Sequence, residues 1–230
     1  MASAPAAAPA RCCSSPDRAS PPELGIAWTA VAEKDLKILA NSMVTVDQLC
    51  CLDGLIWLQS GNAVGALTLQ HQTTVSRNQR KCAKTFGVDV LKRDGLWQIE
   101  GDCQLLELER GVHQAARLKL GQGLRLEAAF SPETALPEDL ARVWTVGSSR
   151  IRKPDHFATL LEQRVIEAWL TSSVPLPGGS DSIVSIPVTE DPEPMQLVVH
   201  RDLHQQAVMA GLVAGLIAQH QQQPIRLQSP

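Results

Sequence analysis

Apolar residues recur at helical spacing over Leu49, Leu52, Leu55 and Ile56, behind Thr45, whose hydroxyl suits an N-cap. This pattern predicts a helix that stops near Ser60-Gly61. A second, short helix is expected through Ala63, Val64, Ala66 and Leu67, then a polar corner at Gln70-His71-Gln72. A third helix follows over 73–86, closed by Gly87 as a C-cap. Two short apolar runs, 88–91 and 96–99, then flank Lys92-Arg93-Asp94-Gly95, and Asp-Gly between apolar runs signals a hairpin. The pattern so far is three helices and a β-wing.

From about Asp102 to Leu120 a fourth helix carries Leu105, Leu108, Val112 and Ala115 or Ala116 at three- and four-residue intervals. Such a seam must bury against something, and a second copy of the chain is the simplest partner. Beyond it the pattern predicts a strand at 123–130, a helix near 137–146, a helix near 156–170, strands at 183–188 and 195–200, and a helix over about 203–221. Strands interleaved with helices give an α/β layer. The chain as a whole is therefore expected to be α+β. Its parts would be a winged helix-turn-helix at 36–101, a linker and dimerisation helix at 102–121, and a small α/β domain at 122–230.

Composition adds a tail to this picture. Residues 1–22 hold Pro5, Pro9, Pro16, Pro21 and Pro22 among Ala and Ser, too little apolar surface for a packed core, so 1–35 is expected to be disordered. Met43 stands just before the first helix of the motif as a second candidate start. Proline is then absent from Glu23 to Ser131. No run approaches the ~20 apolar residues of a membrane span, and no apolar core follows a basic start as in an export signal. A cytoplasmic, nucleoid-associated protein is expected.

Net charge is −3, which alone does not suggest a nucleic-acid binder. Its distribution does. Between Ser76 and Arg93 lie Arg77, Arg80, Lys81, Lys84, Lys92 and Arg93 against the one acid Asp89. A helix entering the major groove needs short polar side chains and Arg or Gln near its start, and cations farther out for phosphates. Gln72, Thr73, Thr74, Ser76, Arg77 and Arg80 meet the first need. Lys84, with Lys92 and Arg93 at the wing, meets the second.

The order Leu49, Leu52, Leu55, Ser60, Gly65, Gln72, Val75-Ser76, Phe86-Gly87, Val90-Leu91 and Arg93 resembles the N-terminal domain of LysR-type regulators, and Gln72-Thr73-Thr74-Val75-Ser76-Arg77 is similar to the start of that family's recognition helix. The resemblance implies a sequence-specific transcription regulator that binds pseudo-palindromic duplex DNA as a homodimer, with Leu105, Leu108, Val112 and Ala116 in the linker helix. The chain departs from the family at Thr68, where a leucine is usual, with Leu69 expected to take over the packing. It departs also at Gln79, at Ala83 and in a wing shorter by one residue. Only about a hundred residues follow the linker, room for one lobe of a periplasmic-binding-protein-like effector domain. Gly123-Leu124-Arg125-Leu126 is similar to its opening strand, and Met195-Gln196-Leu197-Val198-Val199 to the strand before its crossover. Whether an effector binds is left open. The DNA-binding domain is also similar to that of molybdate-responsive regulators, which nothing in the C-terminal half favours.

Other classes find little support. His200 and His204 lie four apart, but no third ligand is near for a metal, no cofactor motif occurs, and Gly178-Gly179 reads as a plain turn. No G-x-S-x-G is present, so no enzyme is expected. The cysteines lack a C-x-x-C spacing, and Cys50, Cys51, Cys82 and Cys103 read as free, helix-borne small hydrophobes. Trp57, Trp144 and Trp169 read as core residues on helices, and Trp97 as a wing residue. A protein-interaction module that kept the helix-turn-helix shape without DNA affinity is the alternative function.

Overall fold

The first helix begins where the chain can satisfy its own free amides. The Thr45 side chain accepts the Gln48 N–H at 3.3 Å while the Gln48 side chain accepts the Thr45 N–H at 3.4 Å, a reciprocal cap on helix α1 (Val46–Leu58). The computed structural model describes residues 44–128, 136–149, 151, 153–172, 181–189 and 194–222. The expected N-terminal tail lies outside them.

From Cys51 to Leu58 every residue of α1 is buried, so this helix is enclosed on all sides rather than amphipathic. Ser60 caps α2 (Gly61–Thr68) by accepting the Ala63 N–H at 3.3 Å. At the corner that follows, a Cβ on Gly65 would lie 2.6 Å from the Gln70 carbonyl oxygen, so only glycine fits. Helix α3 (Gln72–Phe86) ends at Gly87 in the left-handed region (φ 67°), as expected. Strands β1 (Asp89–Arg93) and β2 (Leu96–Glu100) pair antiparallel across Asp94-Gly95, both at positive φ, as a two-residue hairpin turn requires. Helix α4 (Gln104–Leu120) follows, and Gly121 closes it at φ 62°.

The rest is a five-stranded sheet with helices. In chain order these are β3 (Leu124–Ala128), α5 (Glu138–Ala141), β4 (Trp144–Gly147), α6 (Pro154–Glu162), β5 (Ala168–Ser172), β6 (Ile183–Thr189), β7 (Met195–His200) and α7 (Ala207–Gln222), with a 3-10 turn at Arg201–Leu203. The sheet order is β4-β3-β5-β7-β6, with β3 parallel to β4 and β5, and β7 antiparallel to β5 and β6. Strand β3 is buried on both faces. Leu124, Leu126 and Ala128 join a core with Leu140, Leu212 and Leu216 of α5 and α7. A second core joins Leu55, Ile56 and Trp57 of α1 to Phe157 and Leu161 of α6 and Trp169 of β5, so the helical unit and the sheet share apolar packing. No helix among the described residues is long and apolar enough to cross a membrane.

Several expectations are corrected. The helix expected near 137–146 is only the four residues of α5, and Trp144 sits on β4; the helix expected near 156–170 stops at Glu162, and Trp169 sits on β5. Both tryptophans are core residues, but on strands. A central strand buried on both faces is a continuous apolar run, which periodicity cannot tell from a buried helix. Leu69 does not replace a packed leucine. It caps α2 at φ 54° with 94% of its surface exposed, while the Thr68 hydroxyl turns back onto the Val64 carbonyl at 2.8 Å. Cys103 precedes α4 as its N-cap residue rather than lying within the helix.

Candidate nucleic-acid interface

Helix α3 turns Val75, Cys82 and Ala83 inward and leaves Gln72, Thr73, Thr74, Arg77, Arg80, Lys81 and Lys84 exposed, with Ser76 half-buried. The polar corner foreseen at Gln70-His71-Gln72 becomes the helix start: His71 is the N-cap, its Nδ1 accepting the Thr73 N–H at 3.3 Å, and Gln72 is the first helical residue. The Thr73 hydroxyl lies 3.0 Å from the same ring nitrogen, so it is engaged with His71. Asn78 donates to the Gln70 side chain at 3.1 Å and so ties the corner to the helix. Sequence reasoning missed His71 and Asn78, although a polar side chain just before a helical run is a capping signal.

The helix contains no acidic residue. Among the described residues none of Arg77, Arg80, Lys81 and Lys84 forms an ion pair. The two expected wing cations differ. Lys92 lies 5.8 Å from the Trp97 ring centroid and keeps its charge open. Arg93 is held by Glu100 through contacts of 2.6 and 2.8 Å, so its charge is already compensated within the hairpin. Gln59, at the end of α1, donates to the Trp97 carbonyl at 3.1 Å and fixes the hairpin to the helical unit.

Beneath this surface lies a second set of charges that the sequence did not reveal. Asp53 of α1 takes Arg110 of α4 at 2.8 Å and Arg125 of β3 at 3.0 Å, all three nearly or wholly buried. Buried Glu167 accepts from the Arg117 Nε at 3.1 Å and from the Arg125 backbone N–H. Glu127 accepts the Trp57 indole N–H at 2.7 Å and the Ser149 N–H at 2.9 Å. The Trp57 ring lies so close to Gly147 that a Cβ there would come within 2.3 Å of it. Burial alone would raise the Asp53 carboxyl, but Arg110 and Arg125 outweigh it and hold it below the usual carboxylate range. Among the described residues no cation pairs with Glu127, and burial pushes it up to about 7 despite the hydrogen bonds from Trp57 and Ser149.

Of the expected dimerisation residues, Leu105, Leu108 and Val112 are 64%, 64% and 65% exposed and Ala116 is exposed too, while Leu106, Arg110 and Gln114 form the buried side of α4. His200 caps the 3-10 turn by accepting the Asp202 N–H at 3.3 Å, and no cluster of three potential metal ligands occurs among the described residues.

No family model and no curated protein matches the sequence. Solved structures do. ArgP from Mycobacterium tuberculosis is 17% identical, with 64% of this chain covering 53% of that one at a TM-score of 0.33. CrgA, a LysR-type transcriptional regulator from Neisseria meningitidis, is 13% identical, with 64% of this chain covering 54% of that one at 0.29. A third match is Vibrio fischeri DarR, described in complex with DNA, 18% identical, with 64% of this chain covering 56% of that one at 0.23. The chain spans about half the length of the solved structures it matches.

Proposed function

We propose that the chain is a sequence-specific, LysR-type transcription regulator. Helices α1 to α3 and the hairpin act as a winged helix-turn-helix spanning 36–101. Helix α3 enters the major groove, where Gln72, Thr74, Ser76, Arg77 and Arg80 reach base edges and Lys84 and Lys92 hold phosphates. Thr73 serves from the helix start, and Arg93 contributes less because Glu100 already engages it. The observation that carries the reading is the open face of α3, four cations without an acid on the helix or an ion-pair partner among the described residues. Surface charge of one sign, left uncompensated on one short helix, suits a polyanion.

Helix α4 pairs two copies through Leu105, Leu108, Val112 and Ala116, whose exposure leaves an apolar stripe uncovered in one chain. Two-fold symmetry then calls for a pseudo-palindromic site. The sheet and its helices, 122–230, take the place of one effector lobe. Fluorescence anisotropy with an arbitrary labelled duplex, repeated over a series of salt concentrations, tests the reading. The logarithm of the binding constant should fall linearly with that of the salt concentration. Absence of binding even at the lowest salt would leave the interaction-module alternative in its place.

A further inference from the structure

A cavity of about 280 Å³ opens between α1, α2, α4 and the strands β3 and β4, close to the lower end of the roughly 300–1,000 Å³ of small-molecule sites. Its wall is apolar, from Val46 and Trp57 of α1 and Leu67 of α2, and its other side carries Arg117 and Arg125. The two arginine side chains are only 14% and 8% exposed. They belong to the buried ionic cluster, where the guanidiniums of Arg110, Arg117 and Arg125 meet the carboxylates of Asp53 and Glu167. The third nearby acid, Glu127, engages Trp57 and Ser149, and no arginine among the described residues.

Donors are left over as well. Arg117 spends its Nε and one terminal nitrogen on Glu167; Arg125 spends its terminal nitrogens on Asp53, the Val165 carbonyl and the Cys50 sulfur. The Arg117 Nη1 and the Arg125 Nε have no hydrogen-bond partner among the described residues. On the rim, His113 is occupied with Glu109 at 3.1 Å.

We infer that this cavity binds a small organic anion, a carboxylate on a compact apolar body, with the carboxylate on Arg117 and Arg125 and the body against Val46, Trp57 and Leu67. A low-polarity wall beside donors left over on two largely buried arginines favours this chemistry over a neutral apolar ligand or a free inorganic ion. The first leaves the donors unmet, and the second leaves the wall uncovered. Resting on the DNA-binding reading, the consequence is regulatory. The occupant would touch α1 and α2, which pack on α3, so it can bias DNA affinity only as far as it binds one arrangement of these helices better than another.

The test is calorimetric titration of the whole chain with 1-naphthoate and, separately, with 1-naphthalenemethanol, a neutral molecule of nearly the same shape. Saturable 1:1 binding of the anion is expected, at least about tenfold tighter than the alcohol, a difference of about 1.4 kcal/mol. Val46→Trp, at a position 58% exposed, should close the mouth and weaken the anion by a similar factor at unchanged unfolding midpoint. Thr68→Trp closes the same mouth from α2. No saturable heat, equal affinity for the two probes, or undiminished binding in both variants overturns the inference. No DNA is present in the titration. Naphthoate binding by a chain that ignores duplex would therefore retain the cavity and remove the DNA reading, and the converse result would do the opposite.

Discussion

Arginine is used in two opposite ways on the two sides of α1. On α3, Arg77 and Arg80 stand in solvent without a carboxylate partner among the described residues; below α1, Arg110, Arg117 and Arg125 are held against Asp53 and Glu167. A buried ion carries a desolvation cost of several kcal/mol, which only close partners offset, so most donors of the lower set are committed to the fold, the Arg117 Nη1 and the Arg125 Nε being left over at the cavity. An exposed one costs little to leave unpaired and remains available to a ligand. The extent of a cation's pairing, more than its identity, decides how much of it is left for a ligand in this molecule.

Six substitutions sharpen or break that division. The largest effect is expected for Asp53→Ala, which strands Arg110 and Arg125 in the interior. Unfolding by denaturant should show a loss of about 3–5 kcal/mol.

Next is the pH response of Glu127. Its carboxyl holds a proton up to about pH 7 in the folded chain and has an ordinary value of 4.5. Between these values the folded state binds more protons than the unfolded, so stability falls as pH rises through the window and is level above it, by up to about 3 kcal/mol in all. Glu127→Gln keeps an acceptor for Trp57 and should flatten this slope. Asp53 acts oppositely: its depressed carboxyl adds stability above its ordinary 3.8 that is lost as pH falls. A slope between pH 4.5 and 7 that survives in the glutamine variant would place its origin elsewhere.

Arg77→Ala and Arg80→Ala should leave the unfolding midpoint in place and cost about 1–3 kcal/mol each in discrimination between duplexes. A drop in stability instead would move them to the structural side of the comparison. The smallest effect belongs to Arg93→Ala, at most about 1 kcal/mol on stability, since its exposed pair with Glu100 is screened by solvent. Its effect on duplex affinity should be smaller than that of Lys84→Ala.

What could be read from the sequence follows the same division. The elements of the helical unit were visible because each is local: Thr45 and Gly87 cap their helices, Asp94-Gly95 turns the hairpin, and the basic run needs no partner to be noticed. The buried cluster was not, because Asp53 meets residues 57 and 72 positions away, a separation no spacing rule covers. Trp144 and Trp169 were misplaced onto helices for a related reason, since burial on both faces erases the period that marks a strand. Arg93 lay between these cases. Glu100 is close along the chain, and its hold on Arg93 depends on the hairpin register. Leu69 shows the limit of substitution by analogy: its neighbour's missing packing was not transferred to it, because the left-handed cap turns it outward.

The most direct test of the central claim is selection from a pool of random duplexes by the purified chain, with the double variant Arg77→Ala/Arg80→Ala in parallel and the retained DNA sequenced. The account predicts an enriched pseudo-palindrome with the native chain and its loss with the variant, both proteins being equally stable. Enrichment of the same sequence by both, or of none by either, would contradict it.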